Sequence, residues 1–159
     1  MSIAVIAVGK LREKPYRMMA DEYLKRLSRY GKVEEIELSD LPEPAVTSEA
    51  IEEQIKQKEG EAILQKLKPG DHVIAMTIPG KQFSSPELAE HLETLRVQGI
   101  SRTVFVIGGS LGLGKNVLAR ADEEMSMSRM TFPHQLARVM LLEQIYRAAK
   151  ITAGEKYHK

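Results

Sequence analysis

The sequence of 159 residues contains no cysteine. That absence excludes disulfides, thiolate zinc sites, cysteine-bound iron-sulfur clusters and any covalent thiol nucleophile. Long apolar runs are missing too. The opening stretch from Ile3 to Val8 is too short for a membrane span; no basic residue precedes it and the charged segment Lys10 to Lys14 follows at once, which is wrong for a signal peptide. A cytoplasmic protein with no membrane partner is expected. Charge of one sign is also lacking: 23 Lys and Arg stand against 22 Asp and Glu, so the whole chain does not announce a polyanionic partner. The distribution is less even, with acid concentrated between Glu34 and Glu61 and Arg120, Arg129, Arg138, Arg147, Lys150, Lys156 and Lys159 in the final third. Repeats, low-complexity tracts and long linkers are absent. The length suits one domain, residues 1–159, with a sizeable core.

Three short runs rich in β-branched residues, Ile3 to Val8, Val73 to Ile78 and Val104 to Ile107, have the pattern of strands buried on both faces of a parallel sheet. Between them, Tyr16 to Tyr30, Glu49 to Leu67 and Pro86 to Val97 carry apolar residues at helical spacing. Such alternation predicts an α/β fold. Val33 to Leu38 alternates apolar and acidic residues like an edge strand, and period-two Met and Ser suggest a fifth strand over Met125 to Met130. Ser84, Pro86 and Glu87 offer a helix cap, an early proline and a capping-box acid. The segment Leu136 to Ile151 is apolar on nearly every face, which predicts a helix with one side on its own domain and the other on a second subunit, hence a homodimer. A central helix covered within its own chain is the alternative. Glu143 and Arg147 on this helix have the favourable i, i+4 order of an ion pair.

After the strand ending at Ile107 comes Gly108-Gly109-Ser110-Leu111-Gly112-Leu113-Gly114-Lys115-Asn116. Four glycines at the end of a buried parallel strand let a ligand approach the backbone at the usual binding edge of an α/β sheet; a tight turn alone accounts for one or two of them. Gly109 to Lys115 matches part of a phosphate-binding loop, but Asn116 stands where a magnesium-binding hydroxyl belongs. The dinucleotide fingerprint fails as well, because Val117 replaces its third glycine. Turns at Pro79-Gly80-Lys81 and Ser126 to Phe132 could converge with this loop on one sheet edge, giving a pocket of backbone and Met or Leu side chains. It suits a flat base and a thioether-type cofactor better than a triphosphate. His72, His91, His134 and His158 are far apart with no metal-ligand spacing, so no metal is expected. His134, after Pro133, has the place of a capping or packing residue, and Tyr157-His158-Lys159 the character of a disordered polar tail.

The combination of the VIGGSLGLG loop, the run S-M-S-R-M-T-F-P-H, the helix R-V-M-L-L-E-Q-I-Y-R-A and the terminal Tyr-His-Lys resembles the RlmH family of the SPOUT methyltransferase superfamily, essentially end to end. The resemblance implies a single-domain parallel-sheet fold with a C-terminal trefoil knot, a homodimer, and S-adenosylmethionine held by the knot loops. It implies methylation of N3 of a pseudouridine in 23S rRNA of the large subunit, on the assembled ribosome. By residue, it makes Met76, Gly108, Met127, Ser128, Arg129, Met130, Thr131 and Phe132 cofactor-binding positions, and places Tyr157, His158 and Arg138 near the base as catalytic residues. In this reading His158 is a proton acceptor or orienting group, Tyr157 stacks on or positions the base, and Arg138 with Lys159 meets RNA phosphate or the developing anion. Attack by a ring nitrogen on a sulfonium methyl needs orientation, loss of the imide proton and support for the anion, but neither thiol nor metal. Two departures from the family stand out: Thr77 where an Asp is common, and Lys156 where a Pro usually precedes the terminal Tyr-His. A non-catalytic ribosome-binding dimer is the competing reading, and the intact glycine loop counts against it.

Overall fold

A computed structural model describes every residue from Met1 to Lys159. Five strands, β1 (Ser2–Val8), β2 (Val33–Leu38), β3 (His72–Gln82), β4 (Arg102–Ile107) and β5 (Glu123–Ser126), alternate with five helices, α1 (Lys14–Leu27), α2 (Glu49–Gln65), α3 (Ser85–Val97), α4 (Lys115–Arg120) and α5 (His134–Thr152). The strands form one sheet in the order β2-β1-β4-β3-β5, and every neighbouring pair is parallel. Parallel strands need crossovers, and the helices supply them on both faces. No helix is long and apolar enough to cross a membrane.

Because successive side chains of a strand face opposite layers, each central strand serves two cores. Val5, Ala7, Ile74, Phe105 and Ile107 face the layer of α1, α3 and α5, whereas Ala4, Ile6, Val8, Val73, Val104 and Val106 face Ile63 of α2 and Val117 of α4. This double burial explains the uninterrupted apolar runs Ile3–Val8 and Val104–Ile107 within β1 and β4. Each large side chain fully buried in this way, such as Phe105 or Ile6, contributes about 1.5–3 kcal/mol relative to exposure. β2 is an edge strand, as its alternating pattern indicates.

The all-round apolar character of α5 has an explanation within the chain. The helix lies against both α1 and α3: Tyr146 packs on Tyr23 of α1, Gln144 accepts a 2.6 Å hydrogen bond from Ser85 of α3, and Leu141, Leu142, Ile145 and Ala148 are buried. Two helices of the same molecule therefore cover much of this helix, whereas its Leu136, Ala137, Met140, Ala149 and Ile151 are only part-buried. The Glu143–Arg147 pair does form, at 2.7 Å.

Boundaries follow local chemistry. Ser84 Oγ accepts the Glu87 N–H at 3.2 Å while the Glu87 carboxylate accepts the Ser84 N–H at 2.7 Å, a complete capping box for α3. The fifth strand differs from expectation, spanning Glu123–Ser126 rather than Met125 to Met130. Its partner β3 explains the shift. Met76 and Lys81 both pair with Met125, so residues 77 to 80 bulge out of the ladder, pairing resumes only at Gln82 with Ser126, and β3 ends there with nothing for Met127 onward. The segment after Ser126 is consequently released to wall a cavity.

Candidate active site

The middle of β3, the loops after β4 and β5 and the start of α5 meet at the C-terminal ends of β4 and β5, where open parallel sheets usually bind ligands. They enclose a cavity of about 570 Å³ lined by Met76 to Ile78, Ile107 to Ser110, Gly112, Ser126 to Ser128, Met130 to His134 and Ala137. None of these residues is Asp, Glu, Lys or Arg. A site for a triphosphate would need cations to balance its charge; this one offers backbone, three methionines, a phenylalanine and hydroxyls. The N-terminus of α5 adds a further polar element. Pro133 occupies its cap position without any side-chain hydrogen bond, so the first N–H groups of the helix are left uncapped where His134 and Ala137 line the cavity.

The glycine loop is shaped first by its own packing. A Cβ on Gly108 would lie 2.7 Å from the carbonyl carbon of Gly112 and 2.8 Å from its oxygen, and Gly112 itself turns at φ +88°. Gly114 is crowded too, since a Cβ there would lie 2.8 Å from the Lys56 carbonyl oxygen, so the chain's own packing demands three of these glycines rather than the one or two expected. Asn116 completes the case against a phosphate-binding loop, since its Nδ2 donates to the Gln57 carbonyl and its Oδ1 accepts the Val117 N–H. Beneath the loop lies the buried carboxylate of Glu59, which accepts the Leu41 N–H at 3.0 Å. Burial pushes its pKa up, Asp40 and Glu43 add to the rise, and the Leu41 bond only partly offsets them.

The tail is ordered and lies elsewhere. After α5 the Glu155 N–H reaches back to the Lys150 carbonyl, and the Glu155 carboxylate takes Lys150 and the Tyr30 hydroxyl at 2.7 and 3.0 Å. The Tyr157 ring packs edge-on against Tyr146, its hydroxyl donates to Glu143 at 3.1 Å, and the Arg147 guanidinium sits 4.6 Å from its ring centre. Burial, and then the bond to Glu143, raise the Tyr157 pKa above the usual phenol value, so this hydroxyl is a donor and not a base. Arg147 also donates to His158 Nδ1 at 3.3 Å; an arginine cannot accept, so a neutral imidazole there carries its proton on Nε2.

A family model described as "Predicted SPOUT methyltransferase" matches residues 1–158. The chain belongs to the SPOUT methyltransferase family. Its sequence is 56% identical to the ribosomal RNA large subunit methyltransferase H of Clostridium novyi, 54% to that of an Exiguobacterium species and 52% to that of Alkaliphilus oremlandii, over the full length of both chains in each case.

In this SPOUT methyltransferase the residues singled out from sequence divide into groups. Met76, Gly108, Met127, Ser128, Met130, Thr131 and Phe132 all line the cavity. Arg129 does not; it is exposed on the same loop, where a guanidinium keeps its water. Arg138 requires a correction. Its side chain is 1% exposed, with Nη1 bonded to Glu37 and 3.5 Å from Glu35, and Nη2 donating to the Gly9 carbonyl at 2.7 Å. A guanidinium so committed cannot meet RNA phosphate; it ties α5 to the ends of β1 and β2 instead. The expected basic face of the final third shrinks further, because Arg147, Lys150 and Arg120 are paired with Glu143, Glu155 and Asp122. Arg129, Lys156 and Lys159 remain exposed. Sequence reasoning passed over His134, whose position after Pro133 at the head of a helix was its only signal, and Thr77, which lines the cavity and donates to Glu124 at 3.0 Å. His72 and His91, far apart in the sequence, both reach Glu123.

Proposed function

We propose that this chain uses S-adenosylmethionine to methylate N3 of a pseudouridine in 23S rRNA of the large ribosomal subunit, and that it does so as a homodimer whose C-terminal segments carry the family's trefoil knot. The observation carrying this reading is the uncharged cavity formed by Gly108 and the Met127 to Phe132 segment, in a chain more than half identical to proteins named ribosomal RNA large subunit methyltransferase H.

The residues suit such a donor. When bound, S-adenosylmethionine supplies an electrophilic methyl group on sulfur. The close-packed backbone at Gly108 and Gly112 leaves room for a flat base, the methionine and Phe132 side chains give apolar walls, and the uncapped start of α5 complements a carboxylate. Tyr157 and His158 serve the nucleotide: the phenol donates, and Nε2 of His158 presents a proton while Nδ1 is held by Arg147. For His158 to accept the imide proton it must first leave Arg147.

Distance supports the dimer. Helix α5 begins at the cavity with His134 and reaches the tail contacts at Arg147; at about 1.5 Å per residue the two ends of that interval are roughly 20 Å apart. One chain therefore holds the donor pocket and the nucleotide-handling residues separately, and a second copy laying its tail over the first copy's pocket joins them. Complementation tests this arrangement. Mixed dimers of a Gly108→Val protomer and a protomer lacking residues 157–159 should recover methyl transfer to ribosomes without the modification, at donor concentrations where each variant alone is strongly impaired. Failure of intact protein to transfer labelled methyl to such ribosomes would overturn the activity itself. A ribosome binder without catalysis would show no heat on titration with S-adenosylmethionine.

A further inference from the structure

At the end of the sheet away from the cavity, three side chains from three elements converge. His72 opens β3, Glu123 opens β5, and His91 reaches over from α3. His72 Nε2 lies 2.7 Å from one Glu123 oxygen, and His91 Nε2 lies 2.8 and 2.9 Å from the two oxygens of the same carboxylate. One donor atom from each residue falls within 4.8 Å of the others. The side chains are mostly buried, at 17%, 26% and 22% exposure, yet open to solvent on one side. The His91 ring is stacked on Phe83 at 5.2 Å, which fixes its plane.

We propose that His72, His91 and Glu123 form a binding site for one late first-row divalent cation, Zn²⁺ being the best match. Two imidazole nitrogens and a carboxylate are a donor set for such ions, with solvent completing the coordination, whereas Mg²⁺ and Ca²⁺ prefer all-oxygen shells. The bare cluster is satisfied by hydrogen bonds, so it needs no ion to persist. Metal-ligand bonds of about 2.0–2.2 Å in a tetrahedral shell require donors somewhat farther apart than the present contacts, a widening within reach of small side-chain rotations. Ligands on two strands and a helix are held by packed elements rather than by loops, the arrangement that gives a metal site its precision. The site does not touch the donor cavity: β3 contributes His72 from its start and Met76, Thr77 and Ile78 to the cavity from its middle. The ion would clip α3 to β3 and β5. Separations of 51 and 32 residues between Glu123 and the two histidines hid the site from any spacing motif.

The test is a calorimetric titration of chelator-treated, full-length protein with Zn²⁺, alongside Co²⁺ followed by its visible absorption. One ion per chain is expected, with Zn²⁺ displacing Co²⁺, and with the imidazole proton signals of His72 and His91 shifting by NMR. Losing even an outer-shell partner costs metal sites about 10–100-fold in affinity, so removing a ligand by His91→Gln should weaken Zn²⁺ by about 100-fold or more. Deleting residues 157–159 should leave affinity unchanged. Equal binding by His91→Gln, abolition by the tail deletion, or no saturable binding to intact protein would each overturn the site. The NMR shifts decide the matter in the unmutated protein should His91→Gln misfold.

Discussion

The donor cavity and the C-terminal tail are built on opposite principles. Around the cavity the lining is uncharged and the uncapped helix start still has N–H groups to offer. Around the tail nearly every polar group already has a partner: Tyr157 with Glu143, Arg147 with Glu143 and His158, Lys150 with Glu155. A cavity with unspent hydrogen-bonding capacity is ready for a ligand. A tail whose groups bind one another has to exchange those contacts in order to take up the catalytic role proposed for it.

Perturbing the support that both regions share gives the largest expected effect. Arg138 lies on α5 between the cavity residue Ala137 and the tail contacts, and Arg138→Met would leave Glu37 with only the 3.4 Å contact to Arg17, while Glu35 keeps its 2.6 Å pair with Arg17. A loss of about 3 kcal/mol, the low end for breaking a buried pair, is expected by denaturant unfolding. Acid should reproduce part of it. Burial alone would raise the Glu37 pKa, but the Leu11 N–H and Arg138 outweigh burial and lower it below its ordinary 4.5. A lowered carboxyl pKa contributes stability that is complete above the unfolded value and lost as pH falls through the folded one. The difference between intact protein and Arg138→Met should therefore narrow below pH 4.5; an unchanged difference would show that the pair adds nothing.

Separating the two regions comes next. Deleting residues 157–159 should leave S-adenosylmethionine binding intact while methyl transfer falls; His158→Ala alone should lower turnover by about 10²-fold, the usual scale for a positioned proton-transfer group. Full turnover in either variant would make the tail a mere cover for Tyr146.

The cavity offers the next step down. Gly108→Val forces side-chain atoms against the Gly112 backbone, a strain of about 1–3 kcal/mol, and should displace the loop enough to weaken the donor at least tenfold by calorimetry. Circular dichroism should show the rest of the fold unchanged. The smallest effect is expected at Glu59. Its raised pKa means the folded protein prefers the protonated form, so stability contributed there is lost as pH rises through the folded value. Glu59→Gln keeps the acceptor for Leu41 and should flatten that dependence, giving a slight gain in melting temperature at neutral pH.

Why some of this was legible and some was not comes down to range. β1, β3 and β4 declare themselves because strands buried on both faces must be apolar throughout, and Ser84 with Glu87 caps a helix by contacts three residues apart. The end of β5 depends on residues 77 to 80 leaving the ladder some fifty residues earlier, so local period-two Met and Ser pointed too far. Glu35 and Glu37 looked like the solvent face of an edge strand, but Arg17 of α1 pairs with both and Arg138 joins them from a hundred residues later. The tail looked disordered because the groups that hold Tyr157 belong to α5, and only the likeness of the terminal motif to a known family gave it a role.

The position of β1 beside β4 has a consequence for how this chain comes off the ribosome. Ser2 pairs with Arg102, so the first strand made waits for a partner that lies a hundred residues downstream. At about 5–20 residues per second that interval lasts roughly 5–20 s, during which β1 has only β2 on one edge and its other edge stands open. Closure of so distant a pairing is intrinsically slow. For most of its synthesis the chain therefore carries an apolar strand with one edge unpaired, the kind of edge that invites pairing with another chain until β4 arrives.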